Sequence, residues 1–173
     1  MTNFEGIFII PCGNHAFGKK IESFEHRYNM CQLAFFNQKQ PINEVEGIGL
    51  VQNNIVISDI ENTDKTSYAI DLAILLKSKL EEFKEGEIEL YWIVGSDCTK
   101  DLERWKDIED LKNIVSFYEI PRPDSGAIFD LRATLPSVSS TSVRDRLKRG
   151  KGVENIVPFN VAHYIKYHNL YLE

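Results

Sequence analysis

The stretch "SYAIDLAILLKSKLEEFKEGEIELYWIVGSD" (67–97) contains the two patterns that decide the fold class. Apolar residues recur every three or four positions through residues 67–83, which predicts an amphipathic helix. Residues 88–97 form the most apolar of the strand-like runs and end in Gly-Ser-Asp, which predicts a buried strand followed by a turn. A helix that leads so directly into a buried strand is typical of α/β proteins.

The same alternation continues in both directions along the chain. Strands are predicted at 6–11, 54–61, 113–123 and 127–136. A helix is predicted at 23–37, with Ser23 as its N-cap, and a helical stretch follows residue 97 through Trp105 and Leu111. The chain is predicted to be helical again from Ser139 onward, with Pro158 in the first turn of a helix. Strands that alternate with helices predict a mostly parallel sheet with helices on both faces. Because the sequence has no repeat, low-complexity tract or linker, we expect residues 1–173 to form a single domain whose C-terminal part, 139–173, is helical.

Charge and cysteine usage limit the function classes. The net charge of −6 argues against a whole-molecule electrostatic grip on nucleic acid, although a local basic patch could still hold a small anion. The three cysteines are scattered and show no CxxC spacing, so a reducing, cytoplasmic compartment is expected. No signal-peptide pattern and no apolar run of about 18 residues is visible, so no membrane association is expected.

Ligands of open α/β sheets bind beyond the carboxyl ends of the strands, so the residues that follow each predicted strand are the first candidates. They are 11–20, 58–61, 95–97 and 121–122, where polar residues and glycines concentrate. The sequence has no Walker loop, GxSxG or HExxH motif and no Cys/His cluster, and its four histidines do not form a ligand set.

The segment "SSTSVRDRLKRG" (139–150) places four hydroxyl side chains at the start of a basic helix. A helix N-terminus attracts anions, and Arg144 would add a planar, charged donor for phosphate. A well-capped helix with a solvated arginine explains the same residues, and the local chemistry favours neither interpretation.

Two further segments carry chemistry of the same kind. In "PCGNHAFGKKIESFEHR" (11–27), the glycines with Lys19 and Lys20 could wrap phosphates or could form a solvated polar loop. In "VGSDCTKDLERW" (94–105), Gly95 permits close backbone approach, Asp97 can accept hydrogen bonds from a ribose or an amide, and Trp105 can stack on a flat ring. The alternative for this segment is a capping aspartate and a core tryptophan, which is the commoner case for an isolated tryptophan.

Four segments together resemble one family. They are "SSTSVRDRLKRGKGVENIVPFNVAHYIKYHNLY" (139–171), "IVGSDCTKDLERW" (93–105), "PCGNHAFGKKIESFEHRYNM" (11–30) and "SDIENTDKTSYAIDL" (58–72). Taken in their order along the chain (11–30, 58–72, 93–105, 139–171), they resemble the nicotinate/nicotinamide mononucleotide adenylyltransferases of the nucleotidyltransferase superfamily, nearly end to end. The resemblance implies a Rossmann-like α/β fold and transfer of AMP from ATP to a pyridine mononucleotide, with release of pyrophosphate in NAD biosynthesis.

The resemblance also implies a role for each candidate residue. ATP, accompanied by Mg²⁺, would be held by Ser139, Ser140, Thr141, Arg144, Gly95, Asp97, Arg122 and Lys20, and the mononucleotide by Trp105, Tyr68 and Lys19. Arg144 and Lys19 would be the catalytic residues. The implied partners are these two substrates, with neither nucleic acid nor membrane, and a homo-oligomer is left open.

The chain departs from the family at two places. "GIFIIPCGNH" (6–15) is similar to the family's second strand, and no GxFxPxHxGH motif occurs, so the first βα unit, roughly 30 residues, is expected to lie outside this sequence. Ala69 and Leu72 stand where threonines are usual, which weakens the expected mononucleotide contacts. Three interpretations stay open: a truncated enzyme, a strand supplied by another part or chain, or a homologue that binds nucleotide without efficient catalysis. A sister enzyme that acts on phosphopantetheine or a flavin is a further alternative, against which the Trp105 spacing argues.

Overall fold

The computed structural model describes residues 4–15, 18, 21–63, 65–83, 85–96, 98–120 and 138–172, with the backbone alone at 15 and 66. Its elements are β1 (Ile7–Ile9), β2 (Asn14–His15), α1 (Phe24–Phe35), β3 (Asn43–Val45), β4 (Gly49–Gln52), β5 (Ile55–Ile57), β6 (Thr66–Ser67), α2 (Ala69–Phe83), β7 (Leu90–Gly95), a 3₁₀ helix (Thr99–Arg104), α3 (Ile108–Ile114), β8 (Val115–Ile120), α4 (Ser140–Lys148) and α5 (Phe159–Tyr167). The chain forms two compact units, which we call the outer unit (1–67 and 139–173) and the central unit (68–138). The single-domain prediction stays a prediction.

The main sheet of the outer unit is mixed. Its strand order is β1-β5-β4-β3, and β1 pairs in parallel with β5, so that Ile7 lies opposite Ile55. The antiparallel hairpin β3–β4 was not predicted from the sequence. Gly49, the first residue of β4, allows this strand to lie close against β5. The φ of Gly49 is +129°, and a Cβ there would lie 2.4 Å from the Ile57 carbonyl oxygen. Only glycine fits a backbone approach this close.

A second, two-stranded pairing in the outer unit joins β2 to β6 in parallel. The Glu61 side chain links the two sides of this pairing. Its Oε2 accepts a hydrogen bond from the backbone N–H of Gly13, just before β2, at 3.0 Å, and another from the hydroxyl of Ser67 in β6. Gly13 is buried against the same residue, where a Cβ would lie 2.4 Å from the Glu61 carbonyl oxygen. The start of the 11–20 loop is therefore tied to the segment that precedes Tyr68.

Helices α1 and α5 supply the apolar cluster of the outer unit. Val161, Ile165 and Leu170 are buried, and Met30 and Leu33 pack against them. The predicted N-cap at Ser23 is confirmed, since its hydroxyl accepts a hydrogen bond from the His26 N–H. Pro158 lies one residue before the first residue of α5, as its N-cap.

In the central unit, β7 and β8 pair in parallel from Leu90↔Val115 to Gly95↔Ile120. Buried Ile70, Ala73, Leu111 and Val115 form what we call the central cluster. The helix predicted at 67–83 and the strands predicted at 88–97 and 113–123 are confirmed as α2, β7 and β8, each of which begins two residues later than predicted. Residues 97 and 121–123 of the predicted strands lie outside the described residues.

Two other predictions for residues 98–136 had different outcomes. The continuous helix expected through Trp105 and Leu111 is wrong: a 3₁₀ helix ends at Arg104, and α3 begins at Ile108 after Asp107 adopts a left-handed φ of 49°. Because a residue with a left-handed backbone cannot continue a right-handed helix, one helix cannot run through Asp107. The strand predicted at 127–136 lies outside the described residues.

Candidate active site

The start of α4 combines a helix cap with additional hydroxyl groups. The Ser139 hydroxyl accepts a hydrogen bond from the Ser142 N–H at 3.1 Å, and the Ser142 hydroxyl accepts one from the Ser139 N–H at 3.1 Å. This reciprocal arrangement is a capping box, which satisfies two N–H groups that the helix itself cannot pair. Ser139 and Ser142 therefore serve the helix, whereas the side chains of Ser140 and Thr141 lie exposed in its first turn.

Replacing Ser139 with alanine is expected to cost about 1 kcal/mol of stability, because the cap acceptor is lost. For a chain of this length that loss corresponds to a melting temperature lower by about 2–4 °C. Thermal unfolding followed by circular dichroism would measure the difference. Ser140→Ala is the matched control, since Ser140 is already inside the helix; an equal loss in both variants would contradict the capping role.

Arg144 lies one turn into α4 and is half-buried. Its Nη2 donates to the Thr141 hydroxyl at 3.3 Å, which holds the guanidinium on the same side of the helix as that hydroxyl. Burial raises the pKa of the Tyr171 hydroxyl and the Glu22 carboxylate raises it further, while the positive charge of Arg144 lowers it. Arg144 is thus close enough to the C-terminal segment to act on it electrostatically.

Arg27, in α1, contacts two described residues of the 11–27 segment, Cys12 and Glu22. It donates through Nε to the Glu22 carbonyl oxygen at 2.9 Å and through Nη1 to the Cys12 carbonyl oxygen, and its guanidinium carbon lies 5.3 Å from the centroid of the Phe24 ring. Lys19 and Lys20 themselves lie outside the described residues. Sequence reasoning missed the bonds from Arg27 to Cys12 and Glu22 and the bond from Gly13 to Glu61, because each involves a backbone atom that the sequence does not single out.

Two predicted mononucleotide contacts, Tyr68 and Trp105, belong to the same part of the central unit. Both are half-buried, and both pack against the central cluster. The Trp105 ring meets Phe117 edge to face, with 6.2 Å between the ring centroids. Trp105 therefore has the packing expected of a core tryptophan on part of its surface, and part of its surface remains accessible.

Gly95, a predicted nucleotide contact, lies at the carboxyl end of β7, as the sequence predicts. Gly95 is the last residue of the strand, and its carbonyl oxygen accepts a hydrogen bond from the Cys98 N–H at 2.8 Å. The Ser96 N–H donates to the Ile120 carbonyl oxygen at 3.1 Å, which extends the β7–β8 pairing by one residue. Asp97 and Arg122 lie outside the described residues.

A charged neighbour of Tyr68 was not found by sequence reasoning. The Lys106 ammonium lies 3.2 Å from Asp71 Oδ2 and 4.6 Å from the centroid of the Tyr68 ring. A cation over a tyrosine face is attracted by the ring's quadrupole. The sequence offered one indication that Lys106 lies near the predicted ring contacts, namely that it directly follows Trp105.

Two cavities of the outer unit contain none of the residues to which the family resemblance assigns a role, although Asp59 of the 58–61 candidate segment lines the first. One, of about 480 Å³, is acidic; burial, followed by the charges of Asp59 and Glu44, raises the pKa of the Tyr28 hydroxyl that lines it. The other, of about 500 Å³, is lined by Leu33, Phe159, Asn160, His163, Tyr164 and Tyr167.

Within the described ranges no group of three or more His, Cys, Asp or Glu residues could hold a metal ion. No helix in those ranges is both long and apolar enough to cross a membrane.

Comparison with known proteins decides the family. The model of the cytidylyltransferase-like family matches residues 5–146. A relative from Clostridium botulinum (strain Okra / Type B1), named "Probable nicotinate-nucleotide adenylyltransferase", is 30% identical over 192 residues, which cover 98% of this chain and 85% of the relative. The chain belongs to the nicotinate-nucleotide adenylyltransferases of the cytidylyltransferase-like family. A relative of the same name from Myxococcus xanthus is 28% identical, with 95% of this chain and 78% of the relative covered.

Solved structures agree on the fold. The nicotinic acid mononucleotide adenylyltransferase of Plasmodium falciparum, complexed with NaAD, matches with a TM-score of 0.66 at 22% identity and covers 96% of this chain and 82% of its own. The same enzyme complexed with APC matches with a TM-score of 0.64 at 21% identity. The α/β nucleotidyltransferase fold and the family resemblance carried by the four motifs are confirmed, and the chain is a nucleotidyltransferase by family. The roles of the individual site residues stay predictions.

Proposed function

We propose that this adenylyltransferase transfers the AMP moiety of ATP to nicotinate mononucleotide, giving a pyridine dinucleotide and pyrophosphate in NAD biosynthesis. Family membership carries the proposal, since curated relatives matched over nearly the whole chain bear the name of this activity. Structural neighbours complexed with NaAD and with APC support nucleotide substrates of this kind.

The proposed reaction is a direct in-line displacement. An oxygen of the mononucleotide phosphate forms a bond to the α-phosphorus of ATP, the bond from that phosphorus to the oxygen that bridges to the β-phosphate breaks, and pyrophosphate leaves with the bonding electrons. Such a step depends on positioning and charge neutralisation more than on a covalent nucleophile. Mg²⁺ would accompany ATP, held by phosphate oxygens and water, and would neutralise part of the phosphate charge.

In the outer unit, the first turn of α4 supports binding of the ATP phosphates. The exposed hydroxyls of Ser140 and Thr141 lie in the first turn of this helix, where backbone N–H groups favour anions, and Arg144 would supply a positive fork one turn further on. Ser139 contributes by capping this helix, as its capping box indicates. Lys20, Arg122, Gly95 and Asp97 are proposed ATP contacts on the family resemblance.

In the central unit, Trp105 would stack on the pyridine ring, and Tyr68 would contact the mononucleotide. Their shared packing against the central cluster supports this assignment, because both rings are held in place by buried side chains. Lys19 is proposed to approach the reacting phosphates. A cytoplasmic location is proposed from the scattered cysteines of the sequence.

The test is pyrophosphate release from ATP and Mg²⁺ with each of the two pyridine mononucleotides, with CTP replacing ATP as a control for nucleotide choice. We expect equal amounts of pyrophosphate and dinucleotide, with the acid as the better acceptor. ATP binding without pyrophosphate release would contradict the proposal and indicate a nucleotide-binding homologue. Release with phosphopantetheine or a flavin phosphate alone would assign the chain to a sister activity.

A further inference from the structure

Lys106 is held between a carboxylate and an aromatic ring in the central unit. Its ammonium nitrogen lies 3.4 Å from Asp71 Oδ1 and 3.2 Å from Asp71 Oδ2, and 4.6 Å from the centroid of the Tyr68 ring. The Lys106 side chain is 43% exposed and that of Asp71 is 57% exposed, so the pair stands at the surface of the unit. The ammonium is fixed in direction but still reaches solvent.

The backbone explains why the cation is next to Trp105. The 3₁₀ helix ends at Arg104, Trp105 has an extended backbone with ψ 142°, and Asp107 adopts a left-handed conformation before α3 begins. Lys106 is therefore the middle residue of a short, irregular link. This link joins the tryptophan proposed to stack on the pyridine ring to a cation that contacts Tyr68, the other proposed ring contact.

The chemistry of the acceptor gives this cation a use. Nicotinate and nicotinamide mononucleotides differ in one group on the pyridine ring, a carboxylate in the acid and a neutral amide in the amide. A fixed ammonium attracts the carboxylate and gains no comparable charge interaction with the amide. Ala69 and Leu72, which stand where the family usually has threonines, supply no hydroxyl donor, so a charged donor is the more valuable here.

We propose that Lys106 makes this enzyme prefer the acid mononucleotide, by pairing its ammonium with the carboxylate on the pyridine ring. The inference rests on the proposed function and assigns a specificity-determining residue within it. Asp71 does not prevent the pairing, because an exposed ion pair of this kind contributes little free energy and the ammonium has three donors to share. The negative charge of Asp71 instead holds the ammonium beside Tyr68 before the substrate enters.

The experiment compares Lys106→Met, which keeps the length of the side chain and removes its charge, with Lys106→Arg, which keeps the charge. Lys112→Met is the matched control, because Lys112 also forms a surface ion pair in this unit, with Glu109 at 2.6 Å. Affinities of the wild type and variants for both mononucleotides are measured by calorimetry, and kcat/KM is measured for each. In Lys106→Met, we expect affinity for the acid to fall about tenfold or more and affinity for the amide to change less than about threefold. Lys106→Arg should restore most of the preference, and Lys112→Met should leave it unchanged.

Two outcomes separate the inference from the proposed function. If the wild type adenylylates a pyridine mononucleotide and Lys106→Met keeps the same ratio of acid to amide affinity, the assignment of Lys106 is wrong and the function stands. A parallel loss of affinity for both mononucleotides is one case of this outcome, because it leaves the ratio unchanged and indicates a structural role. If the wild type neither binds nor adenylylates either mononucleotide, the proposed function itself fails.

Discussion

Replacing Leu111 with alanine is expected to lower the free energy of unfolding by about 2–5 kcal/mol. Leu111 is fully buried and belongs to the central cluster with Ile70, Ala73 and Val115. Truncation removes apolar contacts and leaves a cavity that the surrounding strands and helices fill only in part. Since a typical domain is stable by about 5–15 kcal/mol, this loss would be a large fraction of the total.

Tryptophan fluorescence during urea unfolding measures this loss well. The two tryptophans of the chain, Trp92 and Trp105, both pack against the central cluster, so their signal reports on the unit that the substitution affects. Leu75→Ala provides the matched control, because Leu75 lies on α2 of the same unit with 43% of its surface exposed. We expect its effect to stay within about 0.5 kcal/mol. Equal effects of the two substitutions would show that Leu111 is not the centre of this core.

In the central unit, the elements predicted correctly are those in which burial imposes a pattern on the sequence. Helix α2 buries Ile70, Ala73 and Leu76 at a helical spacing, and β7 and β8 are apolar because they pair with each other beside the central cluster. Each of the three was predicted to begin two residues too early, at 67, 88 and 113, because apolar or hydroxyl residues just before each element extend the pattern. Periodicity locates an element, but hydrogen bonds to a neighbouring strand determine where it ends.

The features that were missed depend on pairing partners or on single backbone conformations. The β3–β4 hairpin is short, and β3 carries Asn43 and Glu44, so no apolar pattern marks its first strand. The position of the hairpin follows from antiparallel pairing of β4 with β5. The break after Trp105 requires Asp107 in a left-handed conformation, which aspartate adopts more readily than most residues but which its identity alone does not predict.

For the candidate site, local signals were predictable and distant contacts were not. The hydroxyl run at 139–142 was predicted to start a helix, and Ser139 does cap α4. Contacts between Lys106 and Tyr68, and between Glu61 and Gly13, join residues that are far apart in sequence. Such contacts arise only when the elements that carry them pack together, so a sequence without aligned homologues carries no signal for them.

Replacing Arg144 with alanine is expected to lower kcat/KM for adenylyl transfer by about 10²–10³-fold. This size is typical for loss of one preorganised group that stabilises charge in a transition state. The proposed role of Arg144 rests on its half-buried position one turn into α4 and on its bond to the Thr141 hydroxyl. The measurement is pyrophosphate release under saturating mononucleotide, together with ATP affinity by calorimetry, which is expected to fall as well.

Two further variants show whether the loss comes from phosphate contact or from helix stability. Arg144→Lys keeps the charge but not the planar fork, so it should recover only part of the rate if two phosphate oxygens are held at once. Lys148→Ala removes an exposed positive charge near the end of the same helix and should leave the rate unchanged. If Arg144→Ala and Lys148→Ala lower kcat/KM equally, the general positive charge of α4 is responsible. A specific role of Arg144 requires that Arg144→Ala lower kcat/KM far more than Lys148→Ala does. The melting temperature of Arg144→Ala must also show that the variant stays folded under the assay conditions, so that lost stability does not explain the lower rate.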